Sequence, residues 1–88
     1  MKYRSNIEIL GQILQVANGS NNATKTKIMH RAFLGYNQLK DHLMPLTERD
    51  LLRYDKHTPT LKTTEKGLRF LEIYNQMDEM LKVTSERQ

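Results

Sequence analysis

The chain has no cysteine and no tryptophan, only two prolines and four glycines, and nowhere do eighteen apolar residues follow one another. Without cysteine there is neither a disulfide framework nor a thiolate metal site, so the fold must rest on an ordinary apolar core that suits a reducing compartment. A disulfide-knotted secreted domain is excluded. The missing apolar run excludes a membrane-spanning helix. Residues 1–6 lead into an amphipathic stretch rather than the apolar run of a signal peptide. The expectation is a soluble cytoplasmic protein without a membrane partner. At 88 residues, 38% of them hydrophobic, there is material for one small domain and no more.

Acidic residues are the scarcer charge, and their placement is uneven. Fourteen Lys plus Arg face ten Asp plus Glu, a net charge of +4. Residues 1–23 carry +1, residues 24–69 carry ten bases against five acids, and residues 70–88 carry two bases against four acids. A concentrated basic middle suits a polyanion binder, and a solvated surface with a chance excess accounts for it equally well.

Apolar periodicity organises the chain. Over residues 5–17, Ile7, Leu10, Leu14 and Ala17 form one stripe and Ile9, Ile13 and Val16 the next, which predicts a helix with a wide buried arc. Ser5-Asn-Ile-Glu8 reads as its capping box. The turn formers of residues 18–22 end it. A second, shorter helix is expected after Thr26 as cap, with Ile28, Met29, Ala32 and Phe33 inward and Lys25, Lys27 and Arg31 at the surface. Leu34-Gly35 breaks it. A third helix should run from Tyr36 to about Arg49, with Tyr36, Leu39, Leu43 and Leu46 on one face and a kink or tightened turn at Pro45.

Two helices so closely spaced form a helix-turn-helix. The period then changes to two. Leu52 and Tyr54 alternate with Arg53, residues 55–59 supply turn chemistry, and residues 60–63 form a second strand with Leu61 facing in. Thr64 should cap a last helix from Glu65 to about Val83. On it, Phe70, Ile73, Met77 and Met80 make a heptad stripe beside a second one of Leu71, Tyr74 and Leu81. Two apolar stripes need two partners. A helix of about 20 residues is about 30 Å long, more than so small a body covers. The expected second partner is the same helix of another copy, with Phe70, Ile73, Met77, Met80 and Leu81 at the seam.

The order helix, helix-turn-helix, β-hairpin, together with residues 26–30 (TKIMH), 34–40 (LGYNQLK), Leu51-Leu52 and 64–71 (TEKGLRFL), resembles the small archaeal winged-helix DNA-binding proteins. That resemblance spans about residues 4–83. It implies a mainly α fold with a small β-hairpin: a winged helix-turn-helix over residues 1–63, and over residues 64–88 a helix that forms an antiparallel coiled coil in a dimer. Three positions depart from the family's pattern. Gly35 stands where Ser is usual, so the third helix lacks a side-chain cap. Asp50 stands where Gly is usual, at a turn that favours positive φ. Pro45 lies within the third helix.

By family geometry, the outward face of the third helix, centred on Asn37, Asp41, Met44 and Glu48 with Gln38 and Lys40 on its flanks, would enter the major groove. Asn37 and Gln38 suit adenine, and Lys40 suits guanine or phosphate. Asp41 and Glu48 oppose phosphates. The wing brings Arg53, Lys56, His57 and Lys62, suited to phosphates or the minor groove, while Lys25, Lys27 and Arg31 flank the other side. The three histidines lie 12 and 15 residues apart, without cysteines or an i, i+4 pair, so no zinc site is expected. No phosphate loop, nucleophile elbow or carboxylate pair is recognisable. The expectation is therefore a non-enzymatic, cofactor-free homodimer that binds double-stranded DNA, as a transcriptional regulator or a nucleoid-associated protein. The alternative is a winged-helix adaptor that binds protein and not DNA.

Overall fold

A computed structural model describes residues 5–86, and within them the side chains of residues 5–77, 79 and 80. The element order is α1 (Asn6–Gly19), α2 (Lys25–Ala32), α3 (Tyr36–Glu48), β1 (Leu52–Asp55), β2 (Thr60–Thr63) and α4 (Glu65–Glu86). Ser5 caps α1 as expected: its hydroxyl accepts from the Glu8 amide at 3.2 Å, and the Glu8 carboxylate accepts from the Ser5 amide at 2.9 Å. The helix runs through Asn18 and Gly19 before the chain turns. Its buried face is Ile9, Gly11, Ile13, Leu14 and Ala17. Ile7 lies half exposed in the first turn, off the body.

Three expectations about the helix-turn-helix are corrected. The cap of α2 is Thr24, whose hydroxyl accepts from the Lys27 amide at 3.2 Å, so Lys25 and Thr26 lie inside the helix. Phe33 does not face inward. It takes the left-handed conformation at φ 55°, and the amides of Phe33 and Leu34 both donate to the Met29 carbonyl. That reversal swings Leu34 into the core at 7% exposure and leaves Phe33 at 83%. Tyr36 is likewise exposed, because side chains tilt toward a helix's N-terminus and a first-turn residue therefore projects beyond the body. Leu39 and Leu46 hold the inner face of α3 with half-buried Leu43.

Pro45 offers no amide to the Asp41 carbonyl, yet α3 continues as α-helix to Glu48. Gly35 caps α3 without a side chain, and Gln38 supplies the reciprocal half by accepting the Gly35 amide at 3.0 Å. Asp50 adopts φ 60°, the conformation expected where the family carries glycine, and the Leu51 amide closes back on the Leu46 carbonyl at 2.8 Å.

The hairpin is antiparallel, with Leu52 opposite Thr63 and Tyr54 opposite Leu61. Leu52 and Leu61 enter the core, and Tyr54, on the same face of the hairpin and opposite Leu61, is 42% exposed at the core's rim. The Leu61 amide donates to the Ala23 carbonyl at 2.8 Å, tying the wing to the segment before α2. Thr64 caps α4: its hydroxyl accepts from the Gly67 amide at 3.0 Å and donates to the Asp50 carbonyl at 2.6 Å. The core gathers Ile13, Leu14, Ile28, Leu39, Leu46 and Leu52, all fully buried, with Leu71 arriving from α4.

Candidate nucleic-acid interface

The outward side of α3 is polar and solvated. Asn37, Lys40, Asp41 and Glu48 are exposed, as is Met44. Gln38 is exposed too, but its carbonyl oxygen is engaged by the Gly35 amide. Presenting both ends of its amide to adenine would therefore cost the helix its cap. His42 has Nδ1 2.7 Å from the Gln38 carbonyl of its own helix and Nε2 3.4 Å from the Asn6 side-chain oxygen of α1.

The wing places its cations as the pairing register dictates. Arg53 and Lys62 are cross-strand partners, so their side chains project from one face, both exposed. Arg53 lies 3.6 Å from Asp50 with both side chains mostly in water, a contact that leaves the guanidinium available. Lys56 and His57 sit at the exposed tip, where the Asp55 carboxylate accepts the His57 amide at 2.9 Å and shapes the turn.

The cations of α2 do not act as one group. Lys25 leans toward the wing, with Nζ 5.1 Å from the centroid of the Tyr54 ring. Lys27 turns back to the loop before its own helix, donating to the Ser20 hydroxyl at 3.3 Å. Arg31 is exposed in the last turn, roughly 240° around the helix axis from Lys25. Lys25 and Lys40 thus meet across a cleft between α2, α3 and the wing, while Lys27 and Arg31 lie away from it. The same cleft takes in Met44 from the outward face of α3, together with Tyr36 and Tyr54, neither of which was assigned to the site. Their signal was position: Tyr36 stands in the first turn of α3, and Tyr54 shares a hairpin face with Leu52 and Leu61, both at the rim of the core.

On α4, Ile73, Met77 and Met80 are 59%, 49% and 70% exposed. Phe70 is half-buried against the chain's own core. The Leu81 side chain lies outside the described residues.

Three helices, a hairpin whose first strand follows the helix-turn-helix, and a strand amide bonded to the loop before α2 are now all in place. A family model described as winged helix-turn-helix matches residues 3–82. The chain belongs to the winged helix-turn-helix family. Membership suggests, at a coarse level, a DNA-binding regulator and a double-stranded DNA partner. No curated protein matches the winged-helix chain significantly. Among the described residues, no helix is long and apolar enough to cross a membrane, and no three His, Asp or Glu gather as a metal site would require.

Proposed function

We propose that this winged-helix protein is a homodimeric, non-enzymatic double-stranded DNA-binding protein, serving as a transcriptional regulator or an architectural component of the nucleoid. The observation that carries the reading is the exposed face of α3 bordered by cations: Lys25 and Lys40 beside it, and Arg53, Lys56 and Lys62 on the wing. Phosphate contacts from such groups position the protein, and Asn37 is the side chain best placed to read a base. Replacing Arg53, Lys56 and Lys62 with Ala should weaken binding to unrelated duplexes alike and flatten the log-log salt slope by up to about three phosphate contacts.

Base reading has its own test. Asn37→Ala should cost about 1 to 3 kcal/mol at a preferred site and leave nonspecific affinity nearly intact. Asp41→Asn should tighten binding to every duplex if the carboxylate only repels phosphate, and loosen one base position if it accepts from cytosine. Competition titrations with random and enriched duplexes distinguish these results. Absence of duplex binding even at low salt would instead favour the adaptor reading, in which this face meets protein.

Dimerisation is proposed through the far part of α4. Its exposed Ile73, Met77 and Met80 supply an apolar stripe, and packing two such stripes together is the economical way to cover them.

A further inference from the structure

The cleft between α3 and the wing has a composition that DNA contact does not require. Buried Leu39 and Leu61 and half-buried Leu43 form its floor, with Tyr36, Met44 and Tyr54 around it. Its volume is about 290 Å³, near the lower end of small-molecule sites, which run from about 300 to 1,000 Å³. Tyr36 is 64% exposed, Met44 60% and Tyr54 42%. A polar duplex surface leaves such groups without a counterpart, since only thymine methyls offer apolar contact in the major groove.

The polar groups at the cleft are of one sign. Lys25 and Lys40 line it, and no carboxylate does so among the described residues. The Lys25 ammonium is held over the Tyr54 ring, so its position is set before any ligand arrives and little side-chain freedom is left to lose on binding. Thr47 also lines the cleft, but its hydroxyl donates to the Leu43 and Met44 carbonyls, at 3.0 and 3.1 Å. Its proton is committed, and the lysines are the cationic donors that an anion would meet. A purely apolar ligand would leave two ammonium groups unused, and an inorganic anion would leave the floor wet.

We propose that this cleft binds a small aromatic carboxylate, its ring on the leucine floor between Tyr36 and Tyr54 and its carboxylate between Lys25 and Lys40. A ligand there occupies two of the cations assigned to DNA, so it acts as an effector that weakens duplex binding. That consequence rests on the DNA-binding reading, whereas the site itself does not.

The test is a titration of the isotope-labelled full chain, free of DNA, with phenylacetate and with phenylacetamide, its uncharged counterpart of similar shape. Phenylacetate should give saturable shifts at the amides of Tyr36, Leu43, Met44, Tyr54 and Leu61, with Kd on the order of 1 mM or tighter for a ligand of this size. Phenylacetamide should bind at least about tenfold more weakly, and Lys25→Met with Lys40→Met should cost phenylacetate a similar factor. Methionine keeps most of each apolar stem, and an unchanged urea midpoint confirms that the double variant is folded. Equal binding of acid and amide, shifts scattered over surface lysines, or no saturation by about 20 mM would overturn the site. Tighter binding of thymidine than of phenylacetate would also overturn it, assigning the cleft to an unpaired base. Saturable phenylacetate binding in a protein that fails to bind duplex would uphold the site and remove only the DNA reading.

Discussion

The two halves of α4 obey different constraints. Near its start, Gly67 is buried so tightly that a Cβ there would collide with the Leu51 carbonyl and come within 2.6 Å of the Thr63 methyl. One turn on, Leu71 is 6% exposed in the core. Farther along, Ile73, Met77 and Met80 are apolar yet face solvent. The helix is continuous and carries apolar residues in both halves, so propensity does not divide it. What divides it is reach: the body ends near Tyr74, whose ring packs where a Cβ on Gly11 of α1 would lie at 2.9 Å. The first half is held by its own domain, and the second carries apolar side chains that the domain leaves exposed.

The sharpest way to break that contrast is at Gly67. Gly67→Ala should destabilise the fold by about 3 kcal/mol in urea denaturation, because its new Cβ meets backbone that cannot give way as a flexible side chain could. A neutral result would mean that the start of α4 is as loosely held as its end.

Met77→Glu combined with Met80→Glu should do the reverse. It should weaken the proposed dimer by at least about a hundredfold, by placing like charges at the seam, and leave the monomer's unfolding midpoint nearly unchanged. Sedimentation equilibrium over a concentration series reads the first effect and circular dichroism the second. A monomeric wild-type chain at micromolar concentration would remove the dimer.

Asp50→Gly, in the turn between α3 and β1 where the Asp50 carbonyl accepts from the α4 cap Thr64, should stabilise the protein by about 0.5 to 1 kcal/mol, since glycine accepts φ 60° without the penalty of a Cβ. The change also removes the exposed Arg53 contact, which is worth little. Thermal unfolding would read the gain, and a loss would show that the Asp50 side chain holds the wing.

The smallest effect is expected at the boundary between the halves. There the Gln15 amide donates to the Asn75 side-chain oxygen at 3.0 Å in an exposed position, and Asn75→Ala should cost about 0.5 kcal/mol. A loss above about 2 kcal/mol, the scale of a buried network, would move the boundary outward along α4.

Local signals carried much of the fold. The Ser5 and Glu8 pair marked a helix start that the structure reproduces atom by atom, and the change from a period of 3.6 to one of 2 located the hairpin that ends with Leu61 in the core. The cap of α2 was misplaced by two residues because Thr24 and Thr26 offer the same hydroxyl, and only the path of the chain decides which one lies at the helix entrance. Phe33 and Tyr36 were misread for a related reason. Periodicity assumes that a helix continues, and both residues lie where one is stopping or starting. The candidate site was legible residue by residue and illegible as an arrangement: nothing in the sequence separates Lys25, poised over the Tyr54 ring, from Lys27, which bonds back to Ser20.

The sequence by itself determined the elements, their order and the central part of their inner faces, because capping, periodicity and turn chemistry act between residues a few positions apart. Tertiary structure alone decided that Phe33 turns outward, that Lys25 and Lys40 meet over an apolar floor while Lys27 and Arg31 do not, and that α4 outruns its domain. Those outcomes depend on where the body ends and on which distant side chains converge there, and such relations are set by the packing of the whole chain.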